Sequence, residues 1–509
     1  MRAAAEFRKH PQYSVNFIDY ATAEFYRRVL LRDSILPPAG IGYSVALAMT
    51  ETPESAAPLP AEEKIPLRTE LAVYGVGTFS TTAHFMLLVI IPIWAIEKMQ
   101  IPTGLLLGFV LGCRPLLSLF LSIHAGTMMD RIGTRRVLLF FGVLSLATPF
   151  MYPAFPFIAA LIVIQLLSGL CDSIGWMGAQ TLVGQLLKGR TSYAARMGAV
   201  IRIGHIGGPP LVGAAWDYAG PWAAFSLVGA CGLCFLGSVL MLPPTQTDGS
   251  DRAPTDTLTD APANTPKPPA GFKIRDFVPH PSDYIASFKL LAAPAVAITV
   301  MLGMMVHIGN NIQSTFFIVW LREYVGIPAT LIGTLISISS VAAAAGSLWA
   351  IPLRRHIRSF WLLWCSVLTS LVAISITPLV GSAPVVGVVK GTLGSLVELS
   401  PLIAAYIAYC VIACVRSAGN GVHQPLVITL MLRTVGPNDK GKAIGLRGTM
   451  NRITSMIGPL FLGALAGTIG LEYGFYVIGI IASLMMFWLA WLMLRHPEIH
   501  AVGEGPAQP

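Results

Sequence analysis

Apolar residues run along this chain in long unbroken stretches separated by short polar ones. Twelve such stretches occur, at roughly 71–96, 103–125, 136–152, 157–186, 195–216, 222–242, 292–320, 330–351, 360–378, 403–431, 443–467 and 473–494. A helix of about 20 apolar residues crosses the ~30 Å hydrocarbon core of a bilayer, and lipid-facing backbone must satisfy its hydrogen bonds internally. The pattern therefore predicts an all-α membrane protein of twelve transmembrane helices, numbered here as spans 1 to 12.

The stretch 243–291 divides the spans six and six. It holds Pro243-Pro244, Pro254, Pro262, Pro266 and Pro268-Pro269 among Asp, Thr and Ala, and such a composition cannot bury enough apolar surface to order itself. It reads as a flexible cytoplasmic linker between an N-terminal six-helix bundle, 71–242, and a C-terminal one, 292–494. Residues 1–70 form an N-terminal segment expected to be partly disordered, and 495–509 form a tail. Within the first, YATAEFYRRVLLR at 20–32 suits a short amphipathic helix on the inner leaflet. No apolar signal segment with a cleavage site is present, and the polar stretch that Met49 opens resembles a second protein start.

The two bundles repeat each other. Trp94, Glu97, Ile101 and Pro102 align with Trp320, Glu323, Ile327 and Pro328 at an offset of 226. Gly175, Gln180, Leu182 and Val183 of span 4 match Gly419, Gln424, Leu426 and Val427 of span 10 at 244. Arg202, Gly208, Pro209 and Gly213 of span 5 match Arg452, Gly458, Pro459 and Gly463 of span 11 at 250. Duplicated bundles can rock about a site near the midplane, opening it to each side in turn. That argues for a transporter over a channel or an anchored enzyme.

Composition agrees: 54% of residues are hydrophobic and 12% charged, with mean hydropathy +0.68, against about 25% charged in soluble proteins. The net charge of +9 does not point to nucleic acid, because it sits in short loops. With the N-terminus inside, 27 of the 34 Lys and Arg fall on the inner side and three, Lys98, Arg322 and Lys390, on the other; the remaining four, Arg114, Arg202, Arg416 and Arg452, lie within spans. Cytoplasmic loops carry such an excess, so both termini and the linker are expected in the cytoplasm of a multi-pass inner-membrane protein.

Other chemistries find no support. All seven cysteines lie in apolar runs, and the Cys231-x-x-Cys234 pair has no partner set for a metal. There is no GxxxxGK[ST] loop, HExxH or GxSxG. No cofactor, metal, nucleic acid or enzymatic activity is expected. A monomer is.

The loop after span 2 contains Gly126, Asp130, Arg131, Gly133, Arg135 and Arg136. It resembles the signature loop of the major facilitator superfamily, departing from it at Thr134. The resemblance covers 71–494 and implies that superfamily's fold, with the loop as a cytoplasmic latch holding the outward-open state. The second half has Ala350 where the acid would stand. Two further stretches look like family signatures. Arg416-Ser-Ala-Gly419-Asn-Gly421 resembles a basic motif, here in span 10. Gly204-His-Ile-Gly-Gly208-Pro209 with Gly213 resembles the Gly-Pro motif of antiporter-type exporters. Gly208, Pro209 and Gly213, with Gly458, Pro459 and Gly463, also suit close helix packing.

Charges inside a membrane are costly and mark pathways or partners. Asp172 is the only acid deep in a span, and offset 244 aligns it with Arg416. Asp172 is the candidate proton carrier. Arg416 is its candidate counter-charge or an anion contact, and a static pair of Asp172 with Arg416 or Arg114 is the alternative. His307, Asn310 and Asn311 share a face of span 7, and His84 of span 1 aligns with Asn310. With Arg114, Arg416 and Gln424 they form the expected substrate wall. The expectation is a secondary active transporter of a small solute, proton-coupled, with export favoured. The alternatives are a non-transporting sensor or assembly factor on the same fold, or an uptake permease for an organic anion.

Overall fold

The computed structural model describes residues 65–129, 133–187, 191–243, 288–393, 399–434, 440–496 and 499. Residues 65–509 form one unit and residues 1–64 another; the second, and nearly all of the 243–291 linker, lie outside the described residues.

Regular structure among the described residues is helical. Span 1 is α1, Leu67–Glu97. Span 2 is two helices, α2 Leu105–Gly112 and α3 Leu116–Met128, and not the single helix the apolar run predicts. Pro115 lacks an N–H and disfavours helical backbone at Arg114, so the chain breaks at Cys113–Pro115. Spans 3 and 4 are α4, Thr134–Ala154, and α5, Ile158–Leu186. Spans 5 and 6 follow each other as α6, Thr191–Met241, bent where Gly220 takes φ 81° ahead of Pro221.

In the second half, span 7 is α7, Pro294–Gln313, then α8, Phe316–Val319, and a π-helical turn, Trp320–Tyr324. Span 8 is α9, Ala329–Leu353, and span 9 is α10, Ser359–Ser375, continued by the short α11, Thr377–Val380. An unexpected helix, α12, Ala383–Leu393, precedes span 10, which is α13, Pro401–Thr434. Spans 11 and 12 are α14, Lys440–Ile469, and α15, Leu471–Arg495. Nine described helices are long and apolar enough to cross a membrane, joined by the shorter apolar stretches Leu105–Leu121 and Ser359–Ser375. With α6 counted as two, this is consistent with twelve crossings.

The halves interlock at one end through helices that the repeat relates. A Cβ on Gly108 of α2 would lie 2.5 Å from the Pro459 carbonyl, and one on Gly463 of α14 would lie 2.8 Å from Gly108 Cα. Gly333 of α9 meets Pro209 of α6 in the same way, and Gly213 meets Ala329. Only glycine allows backbones this close, which is how small residues hold helices together without water.

The repeat reaches the backbone of that end. Met99 and Ile101 amides bond to the Trp94 and Ala95 carbonyls, and Val325 and Ile327 to Trp320 and Leu321, each pair 226 residues apart. Gln100 and Gly326 sit at φ 50° and 78°, also 226 apart, and Gly220 and Gly470 at 81° and 89°, 250 apart.

Candidate transport site

Arg114 and Asp172 meet in the first half. The break before Pro115 leaves the Arg114 carbonyl against Gly169 of α5, where no side chain would fit. The guanidinium then reaches one face of α5. Its Nη1 donates to Gln165 Oε1 at 3.0 Å and its Nη2 to Ser168 Oγ at 3.1 Å. Nη2 and Nε also donate to Asp172 Oδ2 at 2.5 and 3.2 Å. Tyr152 of α4 adds a hydroxyl on Gln165 Oε1 at 2.9 Å. His84 of α1 completes the group, its Nδ1 2.7 Å from Asp172 Oδ2. Side-chain exposure rises from 9% at Arg114 to 18% at Asp172 and 35% at His84, so the imidazole is the accessible edge of a buried ion pair.

This corrects one expectation. Arg416 is not the counter-charge of Asp172: both basic partners of Asp172 come from its own half. The sequence holds an arginine at either distance, and only the helix break at Cys113–Pro115 decides for Arg114. Gln165 and Ser168 escaped notice, although their i−7 and i−4 spacing from Asp172 is the face signal of a helix.

Arg416 of α13 is 6% exposed. Its Nη1 donates to Asn310 Oδ1 of α7 at 3.0 Å, and Asn420 Nδ2 donates to the same oxygen at 2.6 Å. The Arg416 Nε is buried without a partner. Asn311 Nδ2 turns instead to the His307 carbonyl at 2.6 Å and Ser455 Oγ of α14 at 3.0 Å, which ties α7 to α14. His307 is half-buried beside it, and Gln424 is exposed, as is its repeat mate Gln180.

Of the signature loop, Asp130 and Arg131 lie outside the described residues, and Gly126 is in α3. Gly133 opens α4 at φ 93°. Arg135 Nη2 donates to the Leu240 carbonyl at 3.4 Å, and Arg136 is exposed.

The interlocked end carries a polar cluster that the sequence reading missed. Arg322 Nε bonds to Glu97 Oε1 across the halves, and its Nη1 lies 3.6 Å from Asp217 Oδ1. Asp217 accepts from the Ala329 and Thr330 amides at 3.2 and 2.8 Å and from the Thr330 hydroxyl at 2.8 Å. It thereby caps α9, whose own N-cap, Pro328, supplies no side-chain cap bond. Trp216 Nε1 reaches Glu97 Oε2 at 3.4 Å, and Thr103 reaches Glu323 Oε2 at 3.2 Å. The repeat-related Glu97 and Glu323 thus each take a donor from the opposite half. Arg322 was legible as one of three basic residues on the sparse side.

The family model of the Major Facilitator Superfamily matches residues 73–394 and 299–509. An uncharacterized MFS-type transporter of Mycobacterium tuberculosis (strain ATCC 25618 / H37Rv) is 30% identical over 87 residues, 16% of this chain and 15% of that protein. The match therefore spans under a sixth of that relative. Among solved structures, the nucleoside transporter NupG aligns at TM-score 0.63 and 13% identity, over 84% of this chain and 99% of that one. A bacterial homolog of the human lysosomal transporter Spinster, in an inward-facing and unoccupied conformation, aligns at 0.61 and 15%, over 87% and 100%. The peptide transporter POT in complex with sulfate aligns at 0.59 and 14%, over 86% and 96%. At these identities the likeness is one of fold.

Proposed function

Because the chain belongs to the Major Facilitator Superfamily, we propose that this membrane transporter moves a small solute by alternating access of its two halves and couples that movement to protons. One observation carries the coupling: a single half-buried carboxylate oxygen, Asp172 Oδ2, is shared by the Arg114 guanidinium and the part-exposed His84 ring. With His84 neutral the group carries no net charge. A proton arriving at His84 strengthens its hold on Asp172. A proton passed on to Asp172 cancels the charge that holds Arg114, so the guanidinium is released to other partners. A buried pair that loses one member leaves the other strongly disfavoured, which makes the proton a switch between two arrangements of α1, α5 and the break between α2 and α3.

The interlocked end carries Lys98 and Arg322, two of the three basic residues on the side with few. Charge asymmetry therefore supports this end as the outer one and the sealed state as closed to the outside. The Gly-Pro pattern of α6 supports export as the direction. Monomers of this chain suffice for the cycle, since both halves come from one chain.

The test is solute-driven proton movement in proteoliposomes loaded with a pH-sensitive dye. A panel of carboxylates, amines, nucleosides and dipeptides is applied to wild type and Asp172→Asn. At least one solute gradient is expected to move protons through wild type and none through the variant. Equal proton movement in the two would remove Asp172 from the coupling step. Solute flux without any proton movement would leave the transporter uncoupled from protons.

A further inference from the structure

The repeat places a second copy of the Asp172 group in the other half, with its polarity inverted. His84 corresponds to Asn310 at offset 226, and Asp172 to Arg416 at 244. The contact between these positions recurs: His84 Nδ1 to Asp172 Oδ2 at 2.7 Å, and Arg416 Nη1 to Asn310 Oδ1 at 3.0 Å. The third member follows from helix packing. Gly108 packs on Pro459, and Gly333 packs on Pro209, the repeat mate of Pro459. Six residues beyond each glycine stand Arg114 and Ser339.

The first half is thus His84, Asp172 and Arg114, an acid with its counter-charge. The second is Asn310, Arg416 and Ser339, a cation with none. Arg416 Nε and Ser339 Oγ are both buried without a hydrogen-bond partner, and Arg416 and Ser339 are 6% and 7% exposed. Among the described residues between 294 and 469 the only acid is Glu323, in the turn at the interlocked end. His307, His423 and Arg447 add further basic groups to this half. A buried cation requires an anion, because isolated charge in a low-dielectric interior is strongly disfavoured.

We infer that Arg416, with Asn310, Asn420 and Ser339, is the subsite for the anionic group of the transported solute, a carboxylate. The solute would supply the counter-charge that Asp172 supplies to Arg114 in the other half. A guanidinium offers five donors in a planar fork that matches a carboxylate; one is used on Asn310, and the Nε–H is still open. Ser339 and Asn420 can donate to the same group, and half-buried Asn310 and Asn420 form the rim through which it enters. The inference rests on the transport reading above.

The test is thermal stability of the full-length purified protein with benzoate, succinate and pyruvate, each against its neutral amide, because a ligand that binds only the folded state raises the unfolding temperature. Carboxylates are expected to stabilise wild type and amides not. Arg416→Gln should weaken carboxylate binding at least about tenfold, as loss of a charged hydrogen bond does. Arg416→Lys keeps the charge without the fork and should fall between. Ser339→Asp supplies the missing anion from within and should abolish binding while keeping the fold, so the test survives if Arg416→Gln does not fold. Carboxylate binding unchanged in Arg416→Lys and Ser339→Asp would overturn the subsite, as would amides binding as well as carboxylates. If proteoliposomes move only neutral or cationic solutes, the subsite falls and transport stands. If no solute of any charge is bound or moved, the transport reading falls and the subsite with it.

Discussion

At the scale of single residues, charge inside this protein is a matter of partners. Among the described residues, Asp172 has two basic partners and Arg416 has no acidic one. Removing Arg114 should leave the Asp172 carboxylate with His84 alone, so Arg114→Gln is expected to cost about 3–5 kcal/mol, the usual penalty for breaking a buried pair on one side. Arg114→Gln with Asp172→Asn together should recover much of that loss, because no uncompensated charge is then left. Thermal unfolding of the two proteins in one detergent measures this, and a double variant no more stable than the single one would mean that the pair is held by something other than charge. Backbone gives a second residue-scale prediction. Gln100 is exposed and holds φ 50°, where its repeat mate Gly326 holds 78°. Left-handed backbone costs a non-glycine residue about 1–2 kcal/mol, while glycine loses about 0.5–1 kcal/mol in chain entropy. Gln100→Gly should therefore raise stability by up to ~1 kcal/mol, and Gly326→Gln should lower it by a similar amount. A lower unfolding temperature for Gln100→Gly would contradict this. The sequence showed that Asp172 stood alone among deep acids, but not which arginine it met. That depends on three-dimensional reach, and two candidates lay in similar apolar surroundings.

At the scale of helices, hydropathy located the spans because the requirement it reports, about 20 apolar residues per crossing, acts on every one of them. It did not report breaks. Spans 2 and 7 are continuous in hydropathy yet broken at Cys113–Pro115 and at Ser314–Thr315, because lipid exposure selects for apolar side chains and is indifferent to a lost backbone bond that neighbours can satisfy. Helix α12 escaped for the opposite reason: its eleven residues, APVVGVVKGTL, are too few to cross and carry two glycines. The Gly-Pro pattern was visible as a repeated motif, but its partners were not, since a glycine stripe is silent about which helix lies on it. Those partners make a prediction. A Cβ on Gly463 would lie 2.6 Å from the Gly104 carbonyl and 2.8 Å from Gly108 Cα, so Gly463→Val should force α2 and α14 apart and disfavour the sealed end. Spin labels at Gln100→Cys and Thr468→Cys, both exposed beside the contact, should show a longer distance population in Gly463→Val than in its cysteine-substituted parent. Unchanged distances would mean that the seal is held elsewhere, with Glu97 and Arg322 the next candidates.

At the scale of the whole molecule, the two halves and their duplication were legible because a repeat leaves offsets in the sequence, and the same offsets reappear in the hydrogen bonds of the interlocked end. The offsets already set the acid Asp172 against the cation Arg416; what they could not show was that Asp172 takes its counter-charge, Arg114, from its own half while Arg416 meets the amide oxygen of Asn310. A prediction of the molecule's orientation comes from combining the two kinds of observation. Of the 34 basic residues, 27 lie on the side assigned to the cytoplasm, against Lys98, Arg322 and Lys390 on the other. Arg322 is not a free loop charge: it is held between Glu97 and Asp217 of the opposite half. Orientation is set by the count of Lys and Arg rather than by net charge, so this pairing leaves the 27-to-3 bias as it stands. The interlocked end should therefore face outward. Tyr218 lies at that end and is 87% exposed, while Ser250 lies in the linker between the halves. In a cysteine-free background, a membrane-impermeant maleimide applied to intact cells should label Tyr218→Cys and leave Ser250→Cys untouched until the membrane is permeabilised. The reverse pattern would invert the molecule and make the sealed end the cytoplasmic one. If the orientation holds, Arg322→Ala should open that seal: it removes the link to Glu97 and leaves Asp217 bound only to the α9 amides and the Thr330 hydroxyl. Labelling of a cysteine at Gly333, buried beneath the seal against Pro209, is not a fair probe, because any side chain there clashes. Thr334→Cys, one residue on and half-buried, should label from outside several-fold faster with Arg322→Ala than without it, and equal rates would show that the glycine contacts alone keep this end shut.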